Sequence, residues 1–146
     1  MAKVLLLNGP NLNLLGLREP EQYGTSTLAD IENDVSAIFA EHEIHCDCYQ
    51  SNAEHELINR IHQSHSDNTQ YILFNPAAFT HTSVALRDAL LAVAVPFVEV
   101  HLTDPKSREA FRHRSYFSDI ARQVFSGEQA ESYRKAAYFV VRELNG

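Results

Sequence analysis

The sequence has no tryptophan, one methionine and only two cysteines among its 146 residues. Two cysteines cannot build the disulfide framework that stabilises small secreted domains. Cys46 and Cys48 lie two residues apart, which is the spacing of neither a zinc site nor a thioredoxin-like motif. On a strand this spacing places both side chains on one face, and we expect both to be buried in the core and reduced.

Lysine is scarce too, since nine of the twelve cationic residues are arginine. None of the three lysines, Lys3, Lys106 and Lys135, is placed like a desolvated Schiff-base amine, which argues against imine chemistry. The net charge of -7 provides no basic field for nucleic acid or for a membrane surface. A few arginines that converge locally could still bind a small anion.

Long hydrophobic runs are also missing. The apolar run at residues 4–7 is far too short for a signal-peptide core or a membrane span, and we expect a cytoplasmic protein. A composition that is 45% hydrophobic, over this length, suits one compact domain covering residues 1–146.

Strand-like segments alternate with helical ones along the chain. We predict strands at residues 3–7, 44–49, 71–74, 97–102 and 123–126. Helical spacing follows each strand: from the cap at Thr27 to residue 41, around residues 57–61, over 82–93, over 105–112 behind an Asp104 cap, and from residue 128. This order predicts an α/β fold, a flavodoxin-like doubly wound three-layer sandwich with a five-stranded parallel sheet.

In such folds ligands bind beyond the carboxyl ends of the strands. The loop after the first strand lacks the Gly-Lys-Ser/Thr ending of a phosphate-binding loop, and its glycines do not fit the dinucleotide pattern. Asn8 stands where a receiver domain needs an acidic residue. No cluster has metal-ligand spacing and there is no nucleophile elbow, so we expect neither a metal nor a serine hydrolase.

Two groups could carry acid-base chemistry. Glu99 and His101 share one face of a strand, so the carboxylate could hold one ring nitrogen and keep an imidazolium available as a proton donor; the alternative is a structural ion pair. Tyr23 lies five residues after Arg18, whose charge would favour a phenolate; the alternative is an ordinary aromatic loop anchor. The residues alone leave both alternatives open.

Several loop motifs occur in a familiar order along nearly the whole chain: Asn8-Gly-Pro-Asn-Leu-Asn-Leu-Leu-Gly16, Arg18-Glu-Pro, Tyr23-Gly24, Gln50-Ser-Asn52, Asn75-Pro76, Thr80-His-Thr-Ser83, Glu99-Val-His101 and Phe111-Arg-His-Arg-Ser-Tyr116. Together they resemble the type II dehydroquinase family. The resemblance implies a 3-dehydroquinate dehydratase of the shikimate pathway. It implies anti elimination of water through an enolate to give 3-dehydroshikimate, with no Schiff base, metal or cofactor.

The resemblance also implies roles for residues at matching positions. Tyr23 would be the base, Arg18 would hold it as phenolate while their loop closes, and Asn11 would position a water at the enolate oxygen. His101, oriented by Glu99, would be the acid. The substrate would be bound by Asn75, His81, Arg112, the backbone amides of Leu102 and Thr103, and Asp88 of a neighbouring subunit.

The family's assembly implies a homododecamer of four trimers. Two alternatives remain: a flavodoxin-like module that binds a small anion without turnover, and a structural oligomer with weakened activity. Two departures from the family pattern bear on affinity. Ala77 stands where the family usually has glycine, which could alter the turn, and Asp104 adds a negative charge near the expected carboxylate site unless it caps the next helix.

Overall fold

The computed structural model describes residues 1–17, 21 and 25–146 of the chain. Arg18 and Tyr23, to which we assigned the base and its cation, therefore lie outside the described residues. Five parallel strands form one sheet in the order β2-β1-β3-β4-β5: β1 Ala2–Asn8, β2 Ile44–Gln50, β3 Thr69–Asn75, β4 Phe97–Val100 and β5 Val124–Phe125. This is the flavodoxin-like order, and it confirms the predicted α/β architecture.

Helices cover both faces of the sheet: α1 Leu28–Ala40, α2 Glu54–Gln63, α3 Val84–Val93 and α4 Ala130–Asn145. Helices α1 and α4 share one apolar core with Val4 and Leu6 of β1, while α2 and α3 share another with Leu5 and Leu7. Because β1 is buried on both faces, its sequence is a continuous apolar run rather than an alternating one. Among the described residues, no helix is long and apolar enough to cross a membrane.

Side-chain caps determine where two of the helices begin. Thr27 Oγ1 accepts from the Asp30 amide at 3.1 Å and the Asp30 carboxylate accepts from the Thr27 amide at 3.0 Å, which confirms the predicted cap of α1. Helix α3 begins at Val84 rather than at residue 82, because Ser83 Oγ accepts from the Leu86 amide at 3.0 Å and so occupies the cap position.

The connection from β4 to β5 differs from the prediction. Instead of one helix over residues 105–112 it forms two 3-10 turns, Pro105–Ser107 and Ala110–Arg112. Asp104 caps the first turn as expected, accepting from the Lys106 amide at 3.0 Å. The helix prediction is wrong because Arg108 has an extended backbone, with φ -109° and ψ -161°, which interrupts the helical hydrogen bonds.

The prediction that both cysteines are buried is also wrong. Cys46 is half-buried, Cys48 is exposed, and both are free thiols. The two residues lie on β2, which is an edge strand of the sheet and therefore only partly covered. At the other edge β5 has two residues, fewer than the four predicted.

Candidate active site

The carboxyl ends of the neighbouring strands β1 and β3 lie side by side at one end of the sheet. The Gly9 amide donates to the Asn75 carbonyl at 2.8 Å, immediately beyond both strands. A Cβ on Gly9 would lie 2.4 Å from the Pro76 carbonyl oxygen, so only glycine allows this approach. The loops that follow the two strands are therefore held against each other.

The loop after β1 is fastened to the end of β2. Asn11 has φ 70°, and its amide donates to Asn52 Oδ1 at 2.9 Å. Gln50 Nε2 donates to the same oxygen and to the Gly9 carbonyl, both at 3.1 Å. The Gln50-Ser-Asn52 motif thus fixes the backbone that carries Asn11.

A cavity lies beyond the carboxyl ends of these strands and encloses about 550 Å³, including space open to solvent. Its walls bring together seven of the predicted site residues: Asn11, Asn75, His81, His101, Leu102, Thr103 and Arg112. Asp88 is not among the lining residues and lies exposed on α3. Within the described part of the chain, the lining contains two arginines, two histidines and no carboxylate, so the cavity suits an anion.

Glu99 and His101 form the predicted pair at the end of β4. His101 Nε2 donates to Glu99 Oε2 at 2.5 Å, and Glu99 is fully buried behind the ring. Burial acts to raise the pKa of Glu99, but its hydrogen bonds, chiefly that from His101, outweigh burial and hold the pKa below its usual value. Because Glu99 occupies Nε2, Nδ1 is the ring nitrogen of His101 left for the cavity.

His81 differs from His101 in which ring nitrogen is engaged by the protein. Its Nδ1 donates to the Arg114 carbonyl at 2.8 Å, which assigns the proton to Nδ1 and leaves Nε2 as the other ring atom. Burial, together with the charges of His101 and Arg112, lowers the pKa of His81. A neutral His81 at neutral pH would offer Nε2 as an acceptor for a substrate hydroxyl.

Asn75 is held by a buried chain of hydrogen bonds. Its Nδ2 donates to the Tyr133 hydroxyl at 2.7 Å, and that hydroxyl donates to Asn8 Oδ1 at 2.6 Å. Asn75 Oδ1 accepts from the Ala77 amide at 3.0 Å. Burial raises the pKa of Tyr133, which therefore stays a neutral phenol. Tyr133 was not assigned to the site from the sequence, because helical periodicity contains no signal for the polar role of its hydroxyl.

The cavity also contains a residue that the sequence interpretation did not assign, Arg108. It precedes Arg112 by four residues, a spacing that would have placed both on one helical face had the segment been a helix. Arg112 Nε contacts both carboxylate oxygens of Glu109 at 3.2 Å, at the rim. Asp104 does not line this cavity, since its side chain is engaged in capping the turn.

Comparison with known proteins places this chain among relatives of the same architecture. The family described as "Dehydroquinase class II" matches residues 2–141. The chain belongs to the class II dehydroquinase family. The match spans all five strands and every described residue of the cavity.

Individual class II dehydroquinase relatives agree over almost their full length. The chain is 60% identical over 146 residues to the 3-dehydroquinate dehydratase of Xanthomonas euvesicatoria, covering 99% of this chain and 97% of that protein. It is 57% identical over 144 residues to the 3-dehydroquinate dehydratase of Mannheimia succiniciproducens, covering 99% and 95%. The crystal structure of type II dehydroquinase from Propionibacterium acnes is similar with a TM-score of 0.91 at 34% identity, covering 97% of both chains.

Proposed function

We propose that this chain is a 3-dehydroquinate dehydratase that eliminates water through an enolate and forms no Schiff base. As a member of the class II dehydroquinase family it is an enzyme, a hydro-lyase. The observation that supports the substrate best is the lining of the cavity, where two arginines and two histidines face the space without a carboxylate among the described residues. A substrate that carries one carboxylate and several hydroxyls suits such a lining.

The proposed elimination begins with Tyr23. As a phenolate held by Arg18, it takes the proton from the carbon next to the ketone, and the electron pair of that bond moves to the ketone oxygen as an enolate. A water positioned by Asn11 stabilises the oxygen. When the enolate collapses, its electrons form the new carbon-carbon double bond and expel the hydroxyl group.

His101 completes the reaction in this proposal. Its Nδ1 donates a proton to the departing hydroxyl, which leaves as water. Glu99 fixes the ring by accepting from Nε2 and offsets the positive charge that the ring has before donation. In this proposal Tyr23 must be deprotonated to remove one proton, and His101 must be protonated to donate the other.

Substrate binding is assigned to the remaining lining groups. The amides of Leu102 and Thr103 and the guanidinium of Arg112 would bind the carboxylate. Asn75 and His81 would bind hydroxyl groups. Asp88 lies outside the lining of its own cavity, so its proposed role requires a neighbouring subunit of the dodecamer. Sedimentation that finds only monomers at micromolar protein would remove both the assembly and that role.

Ultraviolet absorbance after addition of 3-dehydroquinate tests the reaction, because the product is a conjugated enone. We expect absorbance with the intact chain, its loss in Tyr23→Phe, and no effect of prior borohydride treatment in the presence of substrate, since no imine forms. Tyr138→Phe, at an exposed tyrosine of α4, is the matched control and should keep full activity. Binding of 3-dehydroquinate without enone formation would instead support an anion-binding module.

A further inference from the structure

The carboxylate behind His101 is held by more than the histidine. Ser118 Oγ donates to Glu99 Oε1 at 2.6 Å, and Ser115 Oγ donates to Glu99 Oε2 at 2.9 Å. Both carboxylate oxygens are therefore engaged, so the group cannot turn about its terminal bond without losing a hydrogen bond. Both serines belong to the connection between β4 and β5, outside the residues assigned to the reaction.

We propose that Ser118 and Ser115 are positioning residues that orient the Glu99 carboxylate toward His101 Nε2 and thereby keep His101 Nδ1 directed into the cavity. The inference rests on the proposed function of His101 as proton donor. A fully buried carboxylate with a single partner would be costly and free to rotate, whereas three donors satisfy it and set its plane.

Ser115 is itself fully used. Its hydroxyl has one donor and two acceptor positions: it donates to Glu99 and accepts from the amides of Phe117 and Ser118 at 3.0 and 3.2 Å. Ser115 therefore links the Glu99 carboxylate to the turn that carries Ser118. A change at Ser118 removes one donor and leaves this turn intact, so Ser118 is the residue to vary.

The segment that carries both serines is anchored on the opposite side. Phe117 is fully buried and packs edge-to-face on Phe74, with ring centroids 5.5 Å apart. The Tyr116 amide donates to the Thr80 carbonyl at 2.9 Å, and Arg87 donates to the Tyr116 carbonyl at 2.8 Å. The serines therefore project from a fixed backbone, as preorganisation of a catalytic group requires.

The backbone of the pair is fixed independently of the serines. The Glu99 amide donates to the Gln123 carbonyl at 3.0 Å and the His101 amide to the Phe125 carbonyl at 2.8 Å. Removal of one serine hydroxyl should consequently change the carboxylate and not the strand. This separation lets a Ser118 variant report on positioning rather than on folding.

The test is the separate measurement of kcat and KM, together with a pH titration of the carbon chemical shift of the Glu99 carboxyl group, in Ser118→Ala. Loss of a donor to the carboxylate should move the Glu99 titration upward by about one pH unit, and poorer orientation of His101 should lower kcat about tenfold while KM stays the same. The other titratable or charged groups around Glu99 are His101 in contact, His81 and Arg112 across the cavity, and Asp104, Lys106 and His113 behind it. All of these are retained in the variant.

Two further variants complete the experiment. Ser118→Thr retains a hydroxyl donor and should restore the wild-type kcat and Glu99 titration. The hydroxyl of Ser107 donates to the Asp104 carbonyl, away from Glu99, so Ser107→Ala should leave both unchanged. An active Ser118→Ala enzyme with wild-type kcat and a wild-type Glu99 titration would overturn the proposal. The chemical shift needs no turnover, so failure of the proposed reaction in the wild-type chain would be recognised separately.

Discussion

The two ends of the parallel sheet both have clustered charges, but the charges are arranged differently. At the amino end, Lys3 contacts Asp47 and Asp67 at 3.3 and 3.4 Å, and Arg60 contacts the same two carboxylates at 3.5 and 3.3 Å. Two cations face two anions, and His45 adds a contact of 2.8 Å to Asp47. The opposite charges of this network pair with one another.

At the carboxyl end the acidic partners lie outside the cavity wall. The carboxylate of Glu99 lies behind His101 and that of Glu109 lies beside Arg112 at the rim, while the cavity wall of the described residues contains no acidic side chain. The cationic and ring nitrogen groups therefore face a space that a ligand can fill. The number of charges in a cluster therefore does not distinguish a binding site from a structural network, whereas the position of the acidic groups does.

The largest expected effect follows from removing the proton donor. His101→Asn should lower kcat by about a hundredfold to ten-thousandfold, the usual contribution of a general acid. The free energy of unfolding should also fall, by about 1–3 kcal/mol, because the buried carboxylate of Glu99 loses its charged hydrogen-bond donor. Steady-state enone formation and urea denaturation measure the two quantities.

The matched control for His101 is at the other end of the sheet. His45→Asn removes an exposed histidine from its aspartate and should leave kcat unchanged. Equal losses of kcat in both variants would show that the two charge clusters do not differ in function.

Arg108 gives the second test. Arg108→Met should raise KM about tenfold to a hundredfold, as expected for the loss of a charged donor to an anionic ligand, with a smaller change in kcat. Arg60→Met at the amino end should leave KM unchanged and lower the stability instead. If Arg108→Met binds the substrate as tightly as the wild-type chain, the cation at this position does not contact the anion.

Asp67→Asn tests the structural network. The carboxylate of Asp67 accepts from Thr69 and contacts two cations, and its loss should lower the free energy of unfolding at pH 7 by about 1–2 kcal/mol. The KM for 3-dehydroquinate should not change. Urea denaturation and steady-state kinetics of the variant measure both quantities.

The same variant has a signature in acid. Burial acts to raise the pKa of Asp67, but the hydrogen bonds from Thr69 and the two neighbouring cations outweigh it, so the folded pKa lies below the usual value. A depressed folded pKa stabilises the protein above the unfolded pKa, and this contribution is lost as pH falls from about 4 through the folded pKa. Asp67→Asn should therefore lose less stability on acidification than the wild-type chain. An identical acid dependence would contradict the assignment.

Much of this arrangement follows from local sequence signals. The continuous apolar run of β1, the Thr27 cap and the alternation that places Glu99 beside His101 are short-range patterns, and the structure confirms all three. The motif order also identified the family. Such features depend on neighbours within a few residues, which a single sequence contains.

The features that could not be predicted from the sequence depend on contacts between residues that are far apart in the chain. Whether Cys48 is covered depends on β2 being an edge strand, which periodicity does not indicate. The hydroxyl of Tyr133 meets Asn8 across 125 residues of sequence. The extended Arg108 interrupts a segment with good capping signals, and its side chain faces the cavity, a surface that exists only in the folded chain.

The smallest expected effect concerns strain at the carboxyl end. Ala77 has φ 53°, in the left-handed region that favours glycine. Its amide donates to Asn75 Oδ1, and its side chain packs against the core. Ala77→Gly relieves about 1 kcal/mol of backbone strain but loses packing and gains entropy in the unfolded state, so the net stability should change by less than about 0.5 kcal/mol.

Ala94 is the control for the hydrogen bond to Asn75 and the core packing that support Ala77. It ends α3 with φ 58° and is exposed, so Ala94→Gly relieves similar strain without losing packing, and should stabilise the chain by up to about 1 kcal/mol. The difference between the two variants in thermal denaturation measures what Asn75 and the core contribute to holding Ala77. Equal stabilisation by both substitutions would mean that the carboxyl end gains nothing from that support, and that the alanine at this position is strained without compensation.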